Sequence, residues 1–532
     1  MTHENEILWT AAFLNERFTS VVSPLGWSFV GALFEQLALR DPLRFMGFPD
    51  AEKIPATRLW HGHPYVNVAL FQIFYKPFPN AFVPADAVRY FPNGDVRMRK
   101  RASYPTSMLQ PRFVLSLAYH LLRDPVVTSP FNFLAWNQFT KYHDARIRAL
   151  QAQLDTATNA RQVLRVIDAT YALDARLLHI HRWSLTYADL FYKLLTHFYG
   201  EDAQHLMSRV QNKTREVNAE LGALARLSPP PTAALLERIA HHEPLTANEQ
   251  HTAQALQKFL ARHGHRAFSL DIAQPTYGDD PTLLLPLLSG RGLQSIASPS
   301  AARETRFLWN PVIALARKYA QLREDQRYYW QKSLALTRAA FLVLGRDLAA
   351  RGIVHDANEI FYATRQEISA YYGMDLEPAE LSERIAARRR EWEIYAELEQ
   401  TRGAEAYPLF LRGDIPLRER APQMPTQAEW RGRGVSAGIA RGIARIVREP
   451  RELARVGAGE ILIAPATDPA WTPVFARLAG LVMERGGVLS HGAVIAREYH
   501  LPAVTAIPNL MNVLEDGARI QIDGTTGIVK RL

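Results

Sequence analysis

Four prolines, Pro408, Pro416, Pro422 and Pro425, fall between Arg402 and Gln427 among charged residues that show no helical period. Proline fixes φ and carries no amide proton, so such a segment continues neither a helix nor a central strand and reads as an extended connection. It divides the chain in two. Residues before it, from about 112, carry Leu and Val at three- and four-residue intervals among charges, the pattern of helices with one buried face. Residues after it switch to short β-branched runs separated by turns. The expected fold is therefore α+β and multidomain. A large, mainly α-helical domain with short strands spans 1–425, including the linker at about 402–427, and a strand-rich domain with one clear helix spans 429–532.

Within the first domain, helices are expected over 143–170, 172–199, 308–350 and 376–400. Residues 1–110 read as irregular and turn-rich, interrupted by Ser23-Pro24-Leu25-Gly26-Trp27, His61-Gly62-His63-Pro64 and Pro92-Asn93-Gly94-Asp95, with a strand expected over Tyr65–Leu70. In the second domain, strands are expected at Ile439–Val447, Glu460–Ala464, Leu481–Met483, Ala503–Thr505, Ala518–Asp523 and Gly527–Lys530, and a helix after Ser490.

Lys plus Arg exceed Asp plus Glu by 62 to 53, but the basic residues are dispersed in mixed-sign stretches, which argues for a solvated surface and against nucleic-acid binding. The 532 residues include no cysteine, so disulfides, thiolate nucleophiles and thiolate metal sites are excluded and a reducing, cytoplasmic setting is expected. No secretory or transit pattern opens the chain, and no run approaches the roughly 18 apolar residues of a membrane span. His61 and His63, or His179 and His181, have alternating spacing, but neither pair has a third ligand nearby, so no metal site is expected.

The most informative string runs from Glu484-Arg485-Gly486-Gly487 through Ser490-His491-Gly492 to Arg497-Glu498-Tyr499. A strand ends in paired glycines and a helix begins beside a histidine. Glycines let backbone amides approach a phosphate, and the first helical turn supplies unpaired N–H groups at the positive end of the helix dipole. Such a place can hold a phosphorylated imidazole, and the same potential favours a neutral, nucleophilic ring at His491. The plainer reading is that Ser490 caps the helix and His491 fills its first turn.

Four ordered strings then resemble the phosphohistidine swivelling domain of the PEP-utilising enzymes: Gly434–Gly438, Ala466–Pro473, the His491 string and Asp523–Val529. The resemblance implies a β/β/α domain in which His491 carries a phosphoryl group and Gly486, Gly487, Ser490 and Thr472 hold phosphate. Leu489 stands where pyruvate phosphate dikinases have a regulatory threonine, so phosphorylation cannot regulate that position here. Earlier strings, including Val22–Ser28, Gly62–Asn67, Gly264-His265-Arg266, Arg323–Trp330, Leu344-Gly345-Arg346 and Asn358–Tyr362, resemble the drug-binding domain of the rifampin phosphotransferases.

On a helix, Arg327 and Arg338 lie about 40° and 60° from the azimuth of Arg323, so the three guanidiniums can face one anion. Arg323 and Arg327 are the candidates to meet the transferring phosphoryl group, since the guanidinium fork matches phosphate oxygens. The alternative is that they pair with Glu324 or Asp325 on a solvated face. The aromatics Trp27, Phe29, Tyr65, Tyr328, Tyr329 and Trp330 either line an acceptor pocket or form core, and core is the commoner use.

No Gly-x-x-x-x-Gly-Lys loop and no ATP-grasp-like region is found in the sequence. The resemblance therefore implies a phosphotransferase component that itself binds no cofactor, with ATP and magnesium on a separate ATP-grasp protein. His491 relays the phosphoryl group to a hydroxyl of a mainly apolar small molecule, an organisation similar to the divided phenylphosphate synthases. The alternative is a noncatalytic binding or regulatory protein that kept the fold after losing its ATP-grasp part.

Overall fold

Leu and Val at helical spacing do fold as long helices in the computed structural model: Asn132–Asp155 (α1), Ala160–Tyr199 (α2), Lys213–Ala225 (α3), Ala247–His263 (α4), Asn310–Ala350 (α5) and Pro378–Arg402 (α6). The structure describes residues 6–15, 17–18, 20–48, 52–77, 85–92, 95–101, 111–200, 206, 212–241, 243–288, 310–402, 407–417, 429–448, 450–467, 469–487, 490–507 and 510–532. Pro422 and Pro425, with most of the expected linker, lie outside them. Among the described residues no helix is long and apolar enough to cross a membrane.

Two compact units form, each assembled from separate stretches of chain: Met1–Tyr187 with Ser269–Gln274 and Tyr329–Glu419, and Ala188–Phe268 with Pro275–Tyr328 and Arg420–Leu532. Helices α2 and α5 each contribute one part to each unit.

In the first unit, Leu8–Thr10 (β1), Thr57–Trp60 (β2), His63–Asn67 (β3), Phe410–Arg412 (β4) and Ile415–Pro416 (β5) make an antiparallel sheet in the order β2-β3-β1-β4-β5. The first strand thus pairs with residues some four hundred positions away, Trp9 opposite Leu411. Two expectations for this unit are corrected. The strand expected over Tyr65–Leu70 stops at Asn67, whose Oδ1 accepts from Ala69 N at 2.9 Å and caps the helix Val68–Tyr75. Residues 24–45, expected to be irregular, are continuously helical, with the turns Trp27–Gly31 and Phe34–Arg40 widened to π geometry. The start of that helix is fixed by Ser23, whose Oγ accepts from Gly26 N at 3.0 Å while donating to Asp271 at 2.6 Å. The string read as a turn is thus a capped start with proline at the first position.

A polar seam crosses the packed helices of this unit. Asp174 and Thr170 on α2 meet Ser333 and Thr337 on α5, all fully buried, with Ser333 Oγ donating to Asp174 and the two threonine hydroxyls 2.9 Å apart. Burial pushes the Asp174 carboxyl up to about 8, the Ser333 hydroxyl pulling weakly the other way. A carboxyl raised in the folded state gives its full stability below its unfolded range near pH 4 and loses it as pH rises towards 8. Asp174→Asn, which stays neutral, is therefore expected to melt higher than the parent at pH 8, with the difference shrinking towards pH 4. At about 1.4 kcal/mol per pKa unit the gain at pH 8 is on the order of a few kcal/mol. A melting difference that is constant across this range would show that Asp174 does not carry the effect.

In the second unit, Glu429–Arg431 (β6), Arg433–Ser436 (β7), Ile439–Ile446 (β8), Ile461–Ala464 (β9), Gly480–Met483 (β10), Ala503–Thr505 (β11), Arg519–Asp523 (β12) and Ile528–Arg531 (β13) form one sheet in the order β6-β13-β12-β8-β9-β10-β11-β7. Strands β8, β9, β10 and β11 run parallel, and the remaining pairs are antiparallel. Strands β9, β10 and β11 are buried along their whole length, as parallel strands covered on both faces must be. Ile461, Ile463, Val482, Val504, Ile520, Ile522 and Val529 form the core of this domain. The helix His491–Glu498 (α7) connects β10 to β11, so its first residue emerges beyond the carboxyl end of a parallel strand, where α/β folds place their ligands. The α+β multidomain class and the carboxy-terminal strand-rich domain are as the sequence indicates.

Candidate functional site

His491 is the first residue of α7, and the chain reaches it through a loop that only glycine can form. Gly486 has φ +126°, and a side chain there would crowd the Ser490 and Thr505 hydroxyls. The Gly486 carbonyl accepts from Thr505 Oγ1 at 3.2 Å, and the Gly487 carbonyl accepts from both the Ser490 amide (3.0 Å) and the Ser490 hydroxyl (2.8 Å). Ser490 occupies the capping position, but its side chain closes the glycine turn instead of capping the helix. Its role is to fix the loop that sets His491. The amides of the first turn of α7 consequently keep no intrahelical acceptor and can meet an anion.

Two further residues hold α7 against the sheet. Gly492 faces Thr467 Oγ1 and Met483 Sδ so closely that any β-carbon would collide with both. Arg497, buried at the far end of the helix, donates to the Val435 carbonyl at 3.2 Å. Neither was singled out in the sequence, although Gly492 adjoins the histidine. Thr472 lies on the 3₁₀ segment Pro469–Arg477, and its side chain is outside the described residues. Trp471 beside it is buried and anchors that segment.

The partner of the imidazole comes from α5. His491 Nδ1 lies 2.8 Å from Glu324 Oε2, with the histidine side chain 12% exposed and the glutamate 9%. An ionised carboxylate only accepts, so the proton of this bond sits on Nδ1 and the lone pair of the neutral ring sits on Nε2. Burial alone would raise Glu324; the adjacent His491, with Arg323 and Arg327 nearby, holds it below the usual glutamate range. The arrangement is that of an imidazole whose Nδ1 is held by a buried carboxylate.

Arg323 and Arg327 are thus both close enough to act on the Glu324 charge, and Arg327 also donates to the Phe268 carbonyl at 3.2 Å. The expected ion pairs with neighbouring acids take a different form. Glu324 accepts from His491 Nδ1, and Asp325 accepts from Lys213 N at 2.6 Å, tying α3 to α5. Burial pushes the Asp325 carboxyl up to about 6. Arg338 is elsewhere: it donates to the Ile272 and Ala273 carbonyls at 2.9 and 2.8 Å within the first unit. Phe29, Tyr65, Tyr328 and Trp330, at 5% exposure or less, are core. His61 stacks on Trp60 and Tyr395, and His181 Nδ1 meets Ser184 Oγ at 3.0 Å.

Comparison with known proteins points the same way. Residues 456–527, which include His491, match the family "PEP-utilising enzyme, mobile domain", and residues 179–304 match the family "Rifampicin phosphotransferase fourth domain". The rifampicin phosphotransferase of Bacillus subtilis (strain 168) is 28% identical over 306 residues, covering 52% of this chain and 34% of that protein. A rifampicin phosphotransferase of Streptomyces sp is 28% identical over 366 residues, covering 61% of this chain and 41% of that protein. An uncharacterized protein of Mycobacterium tuberculosis is 29% identical over 357 residues, with coverages of 65% and 40%. The chain spans about two-fifths or less of the length of these relatives. The domain that presents His491 is thus similar to the mobile domain of the PEP-utilising enzymes, and the helical region before it to the fourth domain of the rifampicin phosphotransferases.

Proposed function

We propose that the chain is a phosphotransferase component in which His491 accepts a phosphoryl group from ATP held on a separate ATP-grasp protein and passes it to a hydroxyl of a mainly apolar small molecule. The observation that carries this reading is His491 at the start of α7 with Nδ1 held by Glu324 at 2.8 Å, which leaves Nε2 as the nucleophile. Gly486, Gly487, Ser490 and Thr472 are assigned to shaping the phosphate site, and Arg323 and Arg327 to charge stabilisation during transfer to the acceptor. Names of the relatives support a small-molecule acceptor: they are rifampicin phosphotransferases, and residues 179–304 match the fourth domain of that family. Because one histidine must serve a donor and an acceptor, the domain that bears it has to move.

The test is to incubate the full chain with a candidate ATP-grasp protein and ATP labelled in its β and γ phosphates. Acid-labile, base-stable label on the peptide that contains His491 is the expected result. Label on another residue, or none with a partner shown to consume ATP, would remove the relay. The chain without the partner is expected to bind ATP and magnesium too weakly for calorimetry; stoichiometric binding would instead place the nucleotide on this chain.

A further inference from the structure

Away from His491, three ligating side chains converge between α3 and α4. Glu216 and Glu220 stand one turn apart on α3, and His263 is the last residue of α4. One oxygen of each carboxylate and one ring nitrogen all lie within 4.8 Å of one another.

The histidine is set up as a ligand by its other nitrogen. His263 is 1% exposed, and its Nδ1 is 3.3 Å from the Tyr328 hydroxyl, which in turn lies 3.3 Å from the Arg262 carbonyl. The hydroxyl has a single proton, and the carbonyl can only accept it. With that proton given to the carbonyl, Nδ1 donates to the hydroxyl oxygen, which places the lone pair of the neutral ring on Nε2 and makes it available to a metal. Nε2 is buried and faces Glu220 Oε2 at 3.3 Å. In that tautomer two acceptors face each other, a contact that either a proton on Nε2 or a metal cation between them relieves. Two ligands of a tetrahedral zinc, each at about 2.0–2.1 Å from the metal, stand about 3.4 Å apart.

We propose that Glu216, Glu220 and His263 bind one divalent cation, with zinc the best match, as a three-ligand site completed by water. An imidazole in the set disfavours magnesium and calcium, which take oxygen ligands. The Nδ1–Tyr328 contact is the outer hydrogen bond that ligating histidines use to fix their tautomer. Both carboxylates already have cationic neighbours: Lys213 Nζ is 2.6 Å from Glu216, and Arg262 is 3.1 Å from Glu220. These pairs are exposed on at least one side and hold little energy, so the flexible cations swing away when a metal enters. Glu216, with its side chain 47% exposed, supplies the entry path and closes the remaining distance by rotating about its own stem. The ion would clip α3 to α4 and, through Tyr328, to α5, stabilising this unit without entering the phosphoryl chemistry.

The full chain, stripped with chelator and dialysed, is titrated with zinc against a chromophoric chelator, and its melting temperature is followed with and without metal. One equivalent of zinc is expected to bind and raise the melting temperature, millimolar magnesium leaving both unchanged. Cobalt is expected to give the visible bands of a four-coordinate ion. Glu216→Gln and Glu220→Gln, both at partly exposed positions, keep the metal-free fold and weaken zinc by at least roughly tenfold each, with the cobalt bands lost. His263→Gln abolishes binding, and if that variant does not fold the two glutamate variants decide. Absence of stoichiometric zinc binding, or binding and cobalt spectra unaltered in both glutamate variants, overturns the proposal.

Discussion

The His491→Ala variant is expected to take up no phosphoryl group from a loaded ATP-grasp partner, a loss on the order of 10³-fold or more, because removing a covalent nucleophile leaves no second route to the acceptor. The same change has a structural cost that must be separated from the chemical one. Glu324 is buried and accepts a hydrogen bond from His491 Nδ1, so alanine leaves a carboxylate without that donor, at about 1–3 kcal/mol. Arg323 and Arg327 offset part of this, since they already act on the same charge. His491→Asn resolves the two effects. Its amide can still donate towards Glu324 but cannot form the phosphoryl intermediate, so it is expected to recover most of the lost melting temperature and none of the loading. Turnover of an acceptor by either variant, with the partner present, would show that His491 is not the carrier.

The outcome of reading this chain from its residues divides along physical lines. Runs whose neighbours in space are also neighbours in sequence were legible. The six strands expected in the carboxy-terminal domain fall within a residue or two of their observed ends, since runs such as β9, β10 and β11 are buried on both faces and read as unbroken apolar stretches between turns, whereas β6 and β7 were not expected. The His491 string was legible for the same reason, since its glycines and helix start are local. Asn67 shows how a local signal is lost: Tyr65–Leu70 is apolar enough for a strand, and the capping asparagine inside it is what turns the chain into a helix. Glu324 was not legible as the partner of His491, because 167 residues separate them and no periodicity reports such a pair. Its position between Arg323 and Arg327 suggested a surface ion pair, whereas the fold buries it. Ser490 stands at the capping position read for it, but its hydroxyl bonds back to Gly487 and not forward into the helix.

Arg323→Ala and Arg327→Ala are expected to slow discharge of phosphorylated His491 to the acceptor by roughly 10²-fold while changing its loading little, because a preorganised cation beside a transferring phosphoryl group is worth about that much. Their placement supports the difference. Both lie on α5 and act on the charge of Glu324, the carboxylate that holds the ring, and they are outside residues 456–527, the region that matches the mobile domain. Arg323→Ala is the cleaner of the two, since Arg327 also donates to the Phe268 carbonyl and its loss removes a structural hydrogen bond. Arg323→Lys keeps a charge and loses the fork, and should fall between parent and alanine. Glu324→Ala acts by another route: without the carboxylate, Nδ1 no longer has a fixed proton, the ring samples both tautomers, and discharge falls while the charges on the arginines remain. Glu324→Gln, whose carbonyl can still accept from Nδ1, should rescue much of that loss. The measurement isolates the phosphorylated chain, adds phenols, macrocyclic alcohols or pyruvate, and follows decay of the histidine phosphate by mass spectrometry. Equal defects in loading and discharge in the arginine variants would take them out of the transfer step, and rapid discharge to pyruvate with none to the hydroxyl compounds would overturn the acceptor class.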